Sequence, residues 1–484
     1  VNETLYRKLS CLAQGIPAKF IDLFAGCGGF SLGFYKAGFL PVGGVELDPH
    51  AIESHARNFF PSQVARHCKP FDITKTTPEE VLAHLAPDVD PALAVDVLIG
   101  GPPCQAFARI ARAKLREQAA HPEAFKYDPR SRLYLRYLDY VRLLQPVALV
   151  MENVVDMLNH GGRNLPEEMA EALDLLGYDA RYTVLNAVHY GVPQLRERLL
   201  LVAIRKELAI EPTFPLPTHW YELPPGYENA RLVALRRGRP PRFTVPPAPH
   251  PELPRAVTAG QAIGDLPPLT RHLTGEVGRG PTRFDRPLRY RPVRPSDYAK
   301  AMRNWSGFES GGEINDHVTR SLPRDYQIFA QMQPGDQYPQ AHAIACRLFE
   351  DELRRRRAQG ERLQEGSREY ERLRKQYVPP YALDKFPNKW RKMHRDQPAR
   401  TLMAHLGRDG YTHIHYDSHQ ARTISVREAA RLQSFPDGFF FAGTMNPAFR
   451  QIGNAVPPLL AAALAVRLGE ELRRAARSCV SLVL

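Results

Sequence analysis

Cys104 sits near the end of the segment Asp96 to Gln105, Asp-Val-Leu-Ile-Gly-Gly-Pro-Pro-Cys-Gln, where an apolar run reads as a buried strand and the glycines and prolines read as a stiff turn. A thiol at the carboxyl end of a strand is a candidate nucleophile, because open α/β sheets gather their chemistry along that edge. Downstream, Val147 to Met151 is a second apolar strand with Glu152 and Asn153 at its end, so a carboxyl group and the thiol are expected to face one crevice. Gln194-Leu195-Arg196-Glu197-Arg198 leads into a third strand, Leu199 to Ile204. Side chains two apart on an extended chain share a face, so Arg196 and Arg198 point together, either to solvent or into the same crevice.

These groups need a scaffold. Phe20 to Phe24 is expected as a strand, Ala25 to Gly29 as a glycine-rich turn, and Ser31 to Ala37 as a helix stopped by Gly38; Val42 to Glu46 is the next strand, and Asp48-Pro49 opens the helix after it. Strand, turn, helix and strand, with an acidic residue about twenty positions past the glycines, is the pattern of a nucleotide-type βαβ unit. Its glycines let backbone approach a ligand closely, and Glu46 is able to accept from ribose hydroxyls, although such turns also serve packing alone. Asp72, near another strand end, either lines the same edge or caps a helix. Ser131 to Leu144 reads as a crossover helix with Leu133, Tyr137, Val141 and Leu144 on its core side.

The chain has 484 residues, enough for two domains or one large domain with an insertion, and its formal net charge of +13 favours a polyanionic partner, the alternative being a basic but otherwise ordinary soluble enzyme. Six cysteines are scattered without a CxxC pair, which speaks against a zinc site or a disulfide framework and fits a reducing, cytoplasmic setting. No apolar run is read as approaching the roughly 20 residues of a membrane span. Val1 to Gly15 reads as an amphipathic helix using Leu5, Leu9 and Leu12, without the apolar core of a signal peptide. Residues 212 to 295 are rich in proline and arginine and are expected to form a separate module rather than extend the sheet. Within them, Arg236-Arg237-Gly238-Arg239-Pro240-Pro241-Arg242 matches the core of a minor-groove hook, a match that also arises by accident in such composition. Leu348 to Tyr377 reads as a charged, solvated helix or hairpin. Ser425 to Gln433 reads as a helix with a Ser425/Glu428 capping box, Gln451 to Pro458 as a tight turn, and Leu459 to Ala475 as a helix that must bury a face, expected against the amino-terminal sheet.

Taken in order, FIDLFAGCGGFSLGF, GVELD, DVLIGGPPCQ, MENV, QLRER, the SVREAARLQSFPD block and QIGNAVPP resemble the signature motifs of the cytosine-C5 DNA methyltransferase family, in its prokaryotic modification type. The resemblance covers most of residues 20 to 205 and 398 to 466. It implies a Rossmann-like α/β methyltransferase sheet: 1–205 as the first part of the catalytic domain, 206–397 as an inserted target-recognition domain, and 398–484 as a closing segment that returns to the catalytic domain.

The same resemblance implies a chemistry. Carbon 5 of cytosine is too weak a nucleophile to take a methyl group directly, so a thiolate first adds at carbon 6. Cys104 is then the attacking group, Glu152 holds or protonates ring N3, Arg196 binds O2 of the base, and Arg198 organises the site. The implied donor is S-adenosylmethionine, with Phe24, Gly26, Cys27 and Gly29 as its cradle, Glu46 on the ribose, Leu47 against adenine, and Asp72 with Ile73 at the adenine edge. Pro103, Leu133, Asn454 and Val456 complete the pocket, and no metal is expected. Double-stranded DNA is the implied partner, with the target base flipped out of the helix and Gln105 to Arg132 as a loop that closes over it. Ala108 departs from the family pattern, which often has serine there. A modification or phage-defence setting with companion proteins is implied by analogy. An RNA-directed relative and a silent DNA-binding relative are the alternatives; complete catalytic motifs count against the second.

Overall fold

In the computed structural model the described residues are 2–103, 131–160, 162–227, 240–275, 287–384, 387–408 and 410–481. Cys104, most of the segment expected to close over DNA, and Arg236 to Arg239 of the hook match lie outside them. The chain divides into two compact units, the first being Val1–Ala256 with Phe439–Ala442 and Asn454–Leu484, the second Val257–Gly438 with Gly443–Gly453.

In the first unit, Lys19–Leu23 (β1), Leu40–Val45 (β2), Val97–Gly100 (β3), Ala148–Asn153 (β4), Tyr178–Asn186 (β5) and Glu197–Arg205 (β6) form one sheet in the order β2-β1-β3-β4-β6-β5. β1 pairs in parallel with β2 and β3, and β3 with β4; β6 runs antiparallel to both β4 and β5. Period-two burial gives the sheet two apolar faces. Ile21, Leu23, Leu98, Leu149 and Met151 join one core, which also takes Tyr137 and Leu144 from the helix Ser131–Leu144 and Met169 and Leu173 from the helix Leu165–Leu175. Phe20, Val97, Ile99, Val150, Leu200 and Val202 join the other, covered by Glu3–Ala13 (α1) through Leu5, Leu9 and Leu12 and by the helix Pro458–Ser481 through Leu460, Leu464 and Leu468. The C-terminal helix does return to the amino-terminal sheet.

α1 is anchored by charge as well as by leucines. Lys8 Nζ donates to the carbonyls of Val95, Leu144 and Gln145 at 2.6, 2.8 and 3.0 Å, and burial pulls this ammonium down to about 8. Closer still is the seat of Gly29–Lys36 (α2). A Cβ at Gly33 would come 2.3 Å from Ala461 Cβ and 2.5 Å from Ala462 N, so only hydrogen fits between the helices. Gly33→Ala is expected to lower unfolding free energy by about 1–3 kcal/mol through overpacking; unchanged urea denaturation would show that the helices yield freely.

Several sequence expectations are corrected. Residues 206–256 group with the first unit rather than the second: Phe214 and Phe243 bury into its two cores, and Tyr182 N of β5 donates to Arg242 O while Thr244 N donates to Tyr182 O, so part of the proline-rich stretch touches the sheet edge after all. Residues 398–438 group with the second unit. Gln451–Asn454 are the last turn of the helix Met445–Asn454, not a tight turn. The stretch Met445–Val480 is apolar and long enough to cross a membrane by length and composition, although 67% of its most apolar window is buried inside the protein.

The second unit is built from helices and loops around two kinds of core. An aromatic one joins Phe329, Tyr338, Trp390 and Tyr411, with the last two rings stacked 4.6 Å apart, and takes Phe349 and Leu373 from the charged helices Tyr338–Ala358 and Arg368–Tyr377. The other is ionic. From the capped helix Val426–Leu432 and its flanks, Arg422 grips Glu428 at 2.7 Å through both terminal nitrogens, Arg427 meets Asp316 at 3.1 Å, and Arg431 lies between Asp437 and Asp265, all three arginines being buried.

Candidate active site

The sheet order turns around at β1: the chain crosses to β2 on one side and later to β3 on the other, and this is where an open α/β sheet leaves a crevice at its carboxyl edge. Four loops meet that edge. β1 ends in the turn Phe24–Gly28, β2 in Glu46, β3 in Gly101-Pro102-Pro103, and β4 carries Glu152 and Asn153 as its last residues. Because β6 is antiparallel to β4, with Glu152 opposite Leu200 and Asn153 opposite Leu199, its starting residues also arrive at this edge.

The glycine turn is shaped by strain and by one carboxylate. Phe24 adopts φ 60°, Gly26 φ 55° and Gly28 φ 98°; a left-handed phenylalanine is rare and marks a turn held by its surroundings. Glu46 does much of the holding. Its carboxylate accepts from Gly26 N at 2.9 Å and from Leu47 N and Asp48 N at 2.8 Å, while Asp48 caps the helix Pro49–Phe59 (α3). Nothing lies within 4 Å of where a Cβ would stand on Gly26, so the concave side of the turn has room for a ligand. Leu47 is 62% exposed beside it, a large apolar side chain in want of cover. Cys27 is 1% exposed, and burial pushes its thiol well above the usual range, so this cysteine stays protonated.

Asp72 does not cap a helix. It accepts from Thr74 Oγ1 at 2.6 Å and from Thr74 N at 3.0 Å, and these bonds hold its carboxyl below the usual range. The side chain of Ile73 turns into the core, where Phe24 and Leu133 pack at the margin of the same cluster. Asn454 is exposed, and Val456 is buried with the C-terminal helix.

Around the catalytic candidates the geometry is tight. Glu152 Oε1 meets Arg198 Nε at 2.6 Å, with both side chains mostly buried. Arg196 is 1% exposed and donates to the carbonyl of Ala455 at 3.1 Å, which ties β6 to the Asn454–Val456 loop. Burial first, and then the neighbouring Arg198 guanidinium, pull Arg196 well below the usual arginine range, while Glu152 acts in the opposite sense. The two arginines and the glutamate therefore share one place, as period-two reasoning anticipates. Glu197, between the arginines, is pushed up to about 7 by burial.

Cys104 itself lies outside the described residues, but its doorstep does not. Gly100 lies against β1, where a Cβ would stand 2.7 Å from Leu23 O, and a Cβ on Gly101 would be 3.3 Å from Glu152 Oε2. Asn153 Nδ2 donates to Pro102 O at 2.7 Å, which fastens the proline turn to the end of β4. Two further asparagine contacts went unread in the sequence. Asn186 accepts from Val188 N and Arg196 N, both at 3.2 Å, and so aligns the start of β6; an asparagine closing an alternating strand was the available signal.

A mostly parallel sheet with a nucleotide-shaped turn at its switch point defines the Rossmann-like fold of methyltransferases. Comparison with known proteins agrees. Residues 18–266 and 296–470 match the family described as C-5 cytosine-specific DNA methylase. A predicted type II methyltransferase of Oceanobacillus iheyensis is 40% identical over 456 residues, covering 92% of this chain and 94% of that protein. The type II methyltransferase M.AgeI of Thalassovita gelatinovora is 31% identical over 466 residues, covering 92% and 98%. In fold, the chain is similar to the crystal structure of a predicted DNA modification methyltransferase encoded within an Escherichia coli prophage, with a TM-score of 0.59 at 21% identity over 94% of this chain and 99% of that one. The chain belongs to the C-5 cytosine-specific DNA methylase family, and it is a DNA (cytosine-5) methyltransferase.

Proposed function

We propose that this enzyme moves a methyl group from S-adenosylmethionine to carbon 5 of a cytosine flipped out of a specific duplex sequence, through a transient bond between Cys104 and carbon 6. The observation that carries the reading is the convergence of Glu152, Arg198 and Arg196 at the edge where Pro102-Pro103 delivers the next residue, Cys104. The donor site fits this chain: Gly26 leaves open space, Glu46 is fixed by three amides with a lone pair on Oε2 to spare for a ribose hydroxyl, and exposed Leu47 offers an apolar face for adenine. Phe24, Cys27 and Gly29 complete the cradle, Asp72 and the Ile73 backbone take the adenine edge, and Pro103, Leu133, Asn454 and Val456 close the pocket. When bound, S-adenosylmethionine supplies an electrophilic methyl group.

The protein's own work is on the cytosine. Glu152, held by Arg198, is placed to hold or protonate N3, which neutralises the charge that builds in the ring as sulfur adds. Arg196, already buried, offers a cation to O2 without further desolvation at the moment of reaction. A buried base cannot be attacked inside a stacked duplex, so flipping is required. Residues 206–397, which span the last part of Val1–Ala256 in the first unit and most of the second unit, are assigned to target recognition; the chain's net charge of +13 suits a phosphate backbone. The type II relatives favour a modification role in the cytoplasm, marking self DNA beside a restriction or phage-defence partner. Incubation with tritiated S-adenosylmethionine is expected to label duplex DNA and not tRNA, and sequencing DNA from expressing cells to show 5-methylcytosine at one motif. Label appearing in tRNA instead, or tight DNA binding with no label on any sequence, would overturn the reading.

A further inference from the structure

Beneath the glycine turn lies a buried polar chain that methyl transfer leaves unused. Asp22 of β1, 1% exposed, accepts from Ser31 Oγ of α2 at 2.7 Å, and the same oxygen lies 3.0 Å from His55 Nε2 of α3. Ser31 and His55 are fully buried, so three elements meet at one hydroxyl. A hydroxyl has a single proton to give. With that proton on the Asp22 bond, His55 must carry its own on Nε2, leaving Nδ1 as a bare lone pair. Nδ1 is indeed buried with no hydrogen-bond partner among the described residues.

The imidazole is also wedged against the turn. A Cβ on Gly28 would stand 2.5 Å from Phe59 Cε2 and 3.0 Å from His55 Cδ2, and one on Gly44 2.9 Å from His55 Cε1, so a glycine in the turn and another in β2 let the Phe59 and His55 rings pack close. Glu46 holds the turn from its other side through Gly26 N. We propose that Asp22, Ser31 and His55 are positioning residues whose hydrogen-bonded relay sets the backbone of the Ala25–Gly29 turn, and thereby how tightly the methyl donor is held. This rests on the donor-site reading above.

The relay gives donor binding a pH dependence. Asp22 faces Ser31, Glu46 and Cys27, and through the serine His55, which in turn neighbours His67. Burial pushes the Asp22 carboxyl up to about 7 and pulls His55 down to about 3, so the imidazole stays neutral while the carboxyl changes charge near neutrality. Ionised Asp22 is a pure acceptor that orders the serine; protonated Asp22 becomes a competing donor. Donor affinity therefore weakens as pH falls through about 7.

Calorimetric titration of the full chain with S-adenosylmethionine between about pH 5.5 and 8.5 tests this, with thermal melts confirming folded variants. Ser31→Ala is expected to weaken donor affinity roughly tenfold, raising donor KM while kcat at saturating donor changes much less, and Ser31→Thr to restore affinity. Asp22→Asn, which keeps the shape, is expected to flatten the pH profile. Wild-type affinity and profile in Ser31→Ala would overturn the relay, as would equal weakening in Ser31→Thr. An inflection that survives Asp22→Asn assigns the titration to another carboxyl, such as Glu197, and overturns it too. Glu46→Ala separates the two levels: full affinity there sinks the donor-site reading, whereas lost affinity beside an unaffected Ser31→Ala sinks the relay alone.

Discussion

Cys104→Ser is expected to cut methyl transfer by at least about a thousandfold while duplex and donor binding persist. Sulfur suits addition to carbon 6 because a thiolate is accessible near neutral pH, whereas a serine hydroxyl needs a strong base beside it. The carboxyl of Glu152 is already occupied by Arg198 and, in the proposed mechanism, serves the base rather than a serine hydroxyl. Duplex DNA carrying 5-fluorocytosine gives the sharper readout, since fluorine blocks the final proton loss and leaves protein and DNA joined on a denaturing gel. The wild type should trap, and Cys104→Ser should not. Cys27 is no substitute nucleophile, because burial keeps its thiol protonated, and Cys11→Ser, on the outer face of α1, serves as the fully active control. An adduct in Cys104→Ser would end the covalent scheme.

Arg431→Met is expected to be the most damaging change away from the chemistry, at about 3–5 kcal/mol of stability. Arg431 is 0% exposed, donates to Asp437 at 2.5 and 2.6 Å, to Asp265 at 3.1 Å and to the Ala262 carbonyl at 2.7 Å. Without it two carboxylates face each other in a dry interior, Asp265 keeping Arg303, and Asp437 keeping the Tyr290 hydroxyl and the more distant Arg427. Burial alone would raise the Asp437 carboxyl, yet Arg431 holds it below the usual range. Its contribution is thus complete above the ordinary carboxylate pKa of about 4 and is lost only as pH falls through the lower folded value. Chemical denaturation should show the loss, with DNA affinity failing before donor affinity because the residues proposed to cradle the donor lie in the first unit. A variant that denatures like the wild type would show the ion network to be ornamental.

How much of this was legible depends on the range of the forces involved. β1, β3 and β4 announce themselves because strands buried on both faces are continuous apolar runs, and Asp48-Pro49 and Ser425 to Glu428 announce helix starts because caps are local. Arg196 and Arg198 meeting Glu152 follow from strand geometry. β5 is signalled more faintly, by Tyr178, Ala180 and Tyr182 alternating with Asp179 and Arg181, and the helix Leu165–Leu175 by its cap Asn164. The end of the helix Met445–Asn454 misled for a tertiary reason. Gly453 stands there because a Cβ would lie 2.5 Å from Met403 O, a neighbour fifty residues away in sequence, and not because the chain turns. Phe214 and Phe243 likewise draw a proline-rich stretch onto the sheet in a way that composition does not foretell. Asp22 within an apolar strand hinted at a buried polar partner, but nothing local named Ser31 and His55.

The helix Pro458–Ser481 has a temporal implication. During translation the ribosome delivers β1 to β6 and then the whole second unit before Leu460, Leu464 and Leu468 exist to shield Val97, Ile99, Val150 and Leu200. At roughly 5–20 residues per second, that wait lasts many seconds, with α1 able to cover part of this face and the rest exposed. In that interval, with the part of the face that the helix Pro458–Ser481 shields still uncovered, the nascent chain is a natural client for chaperones.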